Sequence, residues 1–255
     1  MKIAICGFGR AGKSLAKKVI DSKQNDLVMG ICRNSSNNAN MDVGELLFEV
    51  RNGIKIVPIE KVVESIEKND VDVVIDFSHH DMAEDLLRLC GEGRMNLVIC
   101  TTNHTIEEIS QLQHMADRYG IGVVYCPNLT LGINLLMEFI KKISRIFPFF
   151  DFDVVEKHPK DKKKPTETAK MLAQMTGKDG TTIHSVRMDG YVGVHEVTIT
   201  DGIERITLCH ESLSRQAFAN GAMLAAEFIQ GKAGFFLMKD VINELEEKIN
   251  ALEEM

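Results

Sequence analysis

Lys2-Ile3-Ala4-Ile5-Cys6-Gly7-Phe8-Gly9-Arg10-Ala11-Gly12, residues 2–12, is the stretch whose reading decides the fold. A short apolar run leads into three spaced glycines, and a helical pattern from Lys13 to Ser22 follows at once. A strand–turn–helix unit of this kind carries a dinucleotide fingerprint. Gly7 permits the tight turn, Gly9 lets a pyrophosphate approach the backbone, and Gly12 allows the helix to pack closely on the strand. The helix start then presents N–H groups and a positive dipole end to the phosphates. The plainer alternative is that the glycines serve only a tight βα turn. Gly7, Phe8, Gly9, Arg10, Ala11 and Gly12 are therefore candidate cofactor contacts.

Working outward, a second strand from Leu27 to Cys32 ends at Arg33 instead of an acidic residue. A carboxylate there would accept hydrogen bonds from a ribose 2′-hydroxyl, whereas an arginine suits a 2′-phosphate. NADPH is thus expected to serve at least as well as NADH, unless Arg33 is a plain surface residue. Strand-like runs at 54–59, 71–77, 96–101 and 122–126 then alternate with helical patterns at 60–69, 81–91 and 106–119. Alternation with nearly all-apolar strands predicts a parallel sheet covered on both faces. Ligands of such sheets lie at the carboxyl ends of the strands. Those ends hold Phe77, Ser78, Cys100, Thr101, Thr102, Pro127 and Asn128, further candidates for the cofactor rim. His79 and His80 suggest a metal or acid–base pair, but neighbouring residues leave a strand in different directions, so a rim or capping role is expected.

Composition closes off several classes. A net charge of −7 gives no general basic surface for nucleic acid or anionic membranes. The six cysteines are scattered, without a Cys-x-x-Cys pair, and predict neither a zinc cluster nor a disulfide framework. They suit a reducing compartment. The chain enters a strand immediately, so a cytoplasmic protein without a leader is expected.

The rhythm changes after Asn128. A long helical pattern at 131–146 and a strand at 151–157 lead into a basic segment, and a helix follows at 166–175. Beta-rich runs at 182–188, 192–200 and 204–210 describe a mixed or antiparallel open sheet, with Asp201-Gly202 reading as a type I′ hairpin turn. Helical patterns at 214–230 and 240–252 end the chain, the last with an apolar stripe at Ile242, Leu245, Ile249 and Leu252 that reads as a core face. The expected architecture is α/β: residues 1–127 and 215–255 form a Rossmann-like parallel-sheet domain, and 128–214 an α+β domain for substrate binding and assembly. The chain should cross, and hinge, near 126–129 and 214–216.

The basic segment, Glu156-Lys-His158-Pro-Lys-Asp-Lys162-Lys-Lys-Pro165-Thr166-Glu167-Thr168-Ala169, concentrates positive charge in an acidic protein. A solvated loop is the ordinary reading of such a run. At a strand-to-helix connection it also suits an anionic ligand, with His158 as a proton carrier near neutrality.

These motifs together resemble the 4-hydroxy-tetrahydrodipicolinate (dihydrodipicolinate) reductase family. The Gly7–Gly12 loop, Val74-Ile-Asp-Phe-Ser78, Cys100-Thr-Thr-Asn103, Cys126-Pro-Asn-Leu-Thr-Leu-Gly-Ile-Asn134, Val192-Gly-Val-His195 and Ser214-Arg-Gln-Ala-Phe-Ala-Asn-Gly-Ala222 carry the likeness in order. The resemblance implies an NAD(P)H-dependent homotetrameric reductase of a cyclic dicarboxylate, with no metal. It assigns His158 and Lys162 to catalysis, and Thr166, Glu167 and Thr168 to a substrate carboxylate. Three departures stand out: Pro159 replaces a second histidine, Lys164 stands for an Asp-Ala pair, and Thr166-Glu167-Thr168 replaces Ser-Gly-Thr. A glutamate where glycine allows close approach should repel a carboxylate. Two alternatives therefore stay open: a related reductase of another cyclic imine or amino-acid-derived acid, and a non-catalytic nucleotide-binding protein.

Overall fold

The computed structural model describes residues 1–63 and 70–253 and divides into two compact units, Met1–Leu129 with Phe218–Met255, and Thr130–Ala217. In chain order the first unit holds β1 (Lys2–Cys6), α1 (Arg10–Ile20), β2 (Asp26–Cys32), α2 (Val43–Phe48), β3 (Ile56–Pro58), β4 (Val73–Asp76), α3 (Ala83–Gly93), β5 (Asn96–Ile99), α4 (Ile106–Tyr119) and β6 (Gly122–Tyr125). The second has α5 (Leu131–Ile146), β7 (Asp151–His158), α6 (Glu167–Met175), β8 (Thr182–Arg187), β9 (Gly193–Thr200) and β10 (Arg205–Ser212). Then α7 (Gln216–Phe228), β11 (Gly234–Leu237) and α8 (Met238–Glu253) follow. The helix read at 60–69 lies mostly outside the described residues; its start is a 3-10 turn at Ile59–Lys61.

The first unit is one parallel sheet in the order β11-β6-β5-β4-β1-β2-β3. Its strands are largely apolar because both faces are covered. Ile3 and Ile5 point into one core with α1, α7 and α8, while Ala4 and Cys6 point into the other with α3 and α4. Each fully buried isoleucine in these strands contributes about 1.5–3 kcal/mol relative to exposure. Helix α7 lies close because its inner face is Ala219, Ala222, Ala225 and Ala226, and because Gly221 meets the Leu129 carbonyl where a Cβ would stand 1.7 Å from the oxygen.

The second unit is a mixed sheet, β10-β9-β7-β8, with β7 and β8 parallel and the other pairs antiparallel. Its core joins Ile133, Leu136, Met137 and Ile140 of α5 and Ala169 and Leu172 of α6 to Phe152, Val154, Val197 and Ile199 of the sheet.

Several local readings need correction. The β9–β10 connection is a four-residue loop, not a two-residue type I′ turn, since Thr200 pairs with Arg205. Asp201 Oδ1 accepts from the N–H groups of Ile203 and Glu204, both at 2.9 Å, and this side-chain cap stabilises the longer loop. The apolar stripe of α8 is core only at its start: Ile242 is buried, whereas Ile249 and Leu252 are 55% and 71% exposed. α2 and β11 were not foreseen. β11 is four residues long, too short for periodicity to reveal, and exists by pairing with β6.

Candidate active site

The sheet order reverses between β1 and β4, which is where a crevice for a ligand opens in folds of this kind. Gly7 leaves β1 at φ +89°, and a Cβ on it would stand 2.7 Å from the backbone of Phe77 and Ser78, at the end of β4. Gly12 faces the Gly7 carbonyl so closely that a Cβ would come within 1.9 Å of the oxygen. Gly9 is different: a Cβ there would meet nothing within 4 Å, so the space it keeps clear is not filled by protein. Gly9 also caps α1 without any side-chain bond, leaving the helix start open to an anion. An empty cradle on a helix N-terminus fits a dinucleotide pyrophosphate.

The remaining cofactor candidates all lie in this unit. Arg10 and Arg33 are exposed, and Ala11, Phe77, Ser78, Pro127 and Asn128 are half-buried. Two side chains are committed elsewhere. The Phe8 ring packs against Gly30, and the Cys100 thiol is buried and pushed well above its ordinary pKa by desolvation, so each can offer a ligand only its backbone. Ser78 is held by a residue the sequence reading quoted without a role: fully buried Asp76 accepts from the Ser78 N–H at 2.8 Å and its hydroxyl at 2.5 Å. Burial pushes Asp76 up to about 6 against these hydrogen bonds. Thr101 Oγ1 contacts His104 Nε2 at 2.9 Å, and Thr102 is exposed. Asn103 takes φ +72°, where the resembled motif has glycine; asparagine tolerates this left-handed conformation better than most side chains. Arg33 Nη2 donates to Asp81 at 2.5 Å, and His79 Nδ1 lies 3.2 Å from the same oxygen. His79 stands before, and His80 opens, a 3-10 turn over His80–Met82.

In the second unit the basic loop joins the end of β7 to α6, and its hub is Glu156. This carboxylate is fully buried. It accepts from the hydroxyl of Ser185 at 2.6 Å, from Arg187 Nη2 at 2.7 Å, and from both the N–H (3.2 Å) and the hydroxyl of Thr166. Burial alone would raise its pKa; the bonds from Ser185, Thr166 and Arg187 overcome that and hold it at about 2. His158 is buried with Nδ1 3.4 Å from Glu156 Oε2, at an angle that makes no hydrogen bond. Its ring stands edge-on to His195, centroids 5.0 Å apart. Desolvation lowers the His158 pKa, Glu156 raises it, and Arg187 and Lys162 lower it further, so the imidazole is neutral near pH 7. His195 is pushed down to about 3, chiefly by burial and by His158. Lys162 itself is exposed.

Thr166 is the N-cap of α6, its hydroxyl accepting from the Ala169 N–H at 3.3 Å. Its own N–H and hydroxyl donate to Glu156, so both of its donors are engaged within the protein. Glu167 Oε1 accepts from Lys170 Nζ at 2.7 Å, which tempers the repulsion expected from its charge. Ligand atoms of Glu156, His158 and His195 lie within 4.8 Å of one another. A cation there would have to compete with the Arg187 guanidinium already on the carboxylate, so this donor set suits hydrogen bonding better than metal ligation. Ser185 and Arg187 were not singled out from the sequence, and Glu156 and His195 were quoted there only within motifs and without a role, since their partners depend on strand register.

The dinucleotide loop of the first unit fits the class of nicotinamide-dependent oxidoreductases. Family models described as dihydrodipicolinate reductase, N-terminus and C-terminus, match residues 1–129 and 132–242. The chain belongs to the dihydrodipicolinate reductase family. It is 32% identical to 4-hydroxy-tetrahydrodipicolinate reductase of Methanopyrus kandleri, over 94% of this chain and 95% of that one, and 30% identical to that of Caldanaerobacter subterraneus, over 92% and 95%. A solved dipicolinate-bound dihydrodipicolinate reductase from Paenisporosarcina superposes with a TM-score of 0.77 at 22% identity, over 93% of this chain and 97% of that one. An amine dehydrogenase from Mycobacterium smegmatis shares the fold at a TM-score of 0.66 and 13% identity, over 92% and 94%.

Proposed function

We propose that this protein reduces 4-hydroxy-tetrahydrodipicolinate to tetrahydrodipicolinate with NADPH or NADH, in lysine and diaminopimelate biosynthesis. The observation that carries the reading is the buried His158 at the end of β7, where the Lys162 loop leads on to the start of α6. When bound, the reduced nicotinamide supplies the hydride; the substrate hydroxyl departs as water, and one proton is consumed. The chain's own residues handle that proton and the two carboxylates. His158, uncharged at rest, can accept a proton and pass it on. Lys162 supplies an ammonium that donates to the reacting atoms or anchors a carboxylate. The N–H groups of Glu167 and Thr168, in the first turn of α6, favour the other carboxylate through the helix dipole. In the first unit the Gly7–Gly12 loop, with Phe77, Ser78, Thr101, Thr102, Pro127 and Asn128, lines the cofactor crevice. Arg33, turned from Asp81, would meet a 2′-phosphate.

The test is loss of absorbance at the reduced-nicotinamide band on adding freshly generated 4-hydroxy-tetrahydrodipicolinate. Wild type should oxidise the cofactor, and His158→Ala and Lys162→Ala should each lose about 100-fold or more in kcat. Full turnover in both variants would remove the assignment. Glu167 favours a second reading, a cyclic imine with one fewer carboxylate, which would be reduced faster than the dicarboxylate in the same assay. A cytoplasmic homotetramer, assembled through the open face of the β7–β10 sheet, completes the proposal. Light scattering on the purified chain reads the subunit number.

A further inference from the structure

Arg187, at the end of β8, has a side chain only 10% exposed although it carries a permanent charge. Four of its five guanidinium N–H groups are used. Nε donates to the Lys162 carbonyl at 2.8 Å, Nη2 donates to the Lys163 carbonyl at 2.8 Å and to Glu156 Oε1 at 2.7 Å, and Nη1 donates to the Val186 carbonyl at 2.9 Å. Two of these bonds seize the backbone of the basic loop at and beside Lys162, and a third ties it to the carboxylate beside His158. Among the described residues of the loop, the Lys162 N–H makes only a local turn bond, to the Pro159 carbonyl at 3.1 Å. A rigid, forked cation is the side chain suited to hold two carbonyls and a carboxylate at once; a lysine offers a point charge without the fork.

We propose that Arg187 is a positioning residue for the reaction: it clamps the Lys162 loop to the sheet and so fixes the distance between Lys162 and His158. This rests on the reading of His158 and Lys162 as the reacting pair. The groups facing His158 are Glu156 on its own strand, Arg187 from β8, His195 from β9 and Lys162 from the loop. Losing Arg187 removes a positive neighbour and leaves Glu156 less compensated, and both changes favour the imidazolium.

Two variants separate the fork from the charge. Arg187→Gln should lower kcat/KM about 100-fold, the scale of an ångström-sized misplacement of a catalytic group, and should raise the His158 titration midpoint read by NMR of the imidazole. Arg187→Lys should lower kcat/KM about as much while leaving that midpoint near its wild-type value. NADPH binding by cofactor fluorescence should be unchanged in both. If both variants fold and keep wild-type kcat/KM, or if Arg187→Gln leaves the His158 midpoint where it was, the clamp is refuted. Should Arg187→Gln not fold, Arg187→Lys decides through kcat/KM. If wild type fails to turn over the dicarboxylate, the functional reading fails. The clamp is then judged by the midpoint in Arg187→Gln together with amide exchange at Lys162 and Lys163, which should quicken in both variants.

Discussion

At the scale of single residues, the site is set by which donors a carboxylate or an imidazole finds after folding. Glu167 illustrates this: a glutamate at the first turn of α6 should repel a carboxylate, yet it is paired with Lys170 at 2.7 Å, both side chains partly exposed. An exposed pair of this kind is worth well under about 1 kcal/mol, so it tempers the charge without abolishing it. Glu167→Gly should therefore lower KM for a dicarboxylate substrate only about two- to fivefold, an effect of that size, and leave kcat near wild type, as read by steady-state kinetics. A larger gain would mean that the carboxylate blocks the pocket outright. Gly132 shows the same dependence on neighbours. The His210 ring fills the place of its Cβ at 2.6 Å, and His210 Nε2 lies 3.3 Å from Thr130 Oγ1, so the glycine after Leu131 is demanded by packing at the start of α5.

At the scale of elements, the β1–α1 turn allows its second and third glycines to be told apart. Gly12→Ala would force a methyl into the Gly7 carbonyl, separating helix from strand, and should cost about 1–3 kcal/mol, seen as a lower denaturation midpoint with cofactor binding weakened in parallel. Gly9→Ala meets no protein atom, so the midpoint should hold while the dissociation constant for NADPH rises at least about tenfold, because the methyl occupies the pyrophosphate cradle. A Gly9→Ala protein that binds NADPH normally would remove the pyrophosphate from this loop. Much of this element was legible beforehand, since glycine spacing and the switch from an apolar run to a helical pattern are local properties. The loop after β7 was legible only as charge. That its carboxylate, Glu156, faces Ser185 and Arg187 follows from the parallel β7–β8 register, in which Glu156 sits opposite Ser185.

At the scale of the whole molecule, the buried ionisable groups of the second unit predict its response to acid. His195 and His158 have folded pKa values below their unfolded value of about 6.5, His195 at about 3. Between those limits the unfolded chain binds more protons than the native one, so stability falls as pH drops through that window. Glu156, held at about 2 against an unfolded value near 4.5, adds a second loss as pH falls from about 4.5 towards 2. Urea titrations from pH 7 to 4 should show a declining midpoint that His195→Gln flattens; an unchanged slope in that variant would place the titrating group elsewhere. The sequence by itself determined the α/β class, the nucleotide loop and the alternation of strands and helices along the chain, because periodicity, glycine spacing and charge runs are carried by neighbours in the chain; the pair His158 and Lys162 came from the family resemblance and stays a proposal. Only the tertiary structure decided that β11 completes the sheet beside β6, that Asp201 caps a longer loop, and that Arg187 and Ser185 converge on Glu156. Those outcomes depend on which distant backbone and side-chain groups meet once the strands are in register, and at Glu156 burial leaves a charged group no water to turn to, so it must find its donors within the protein.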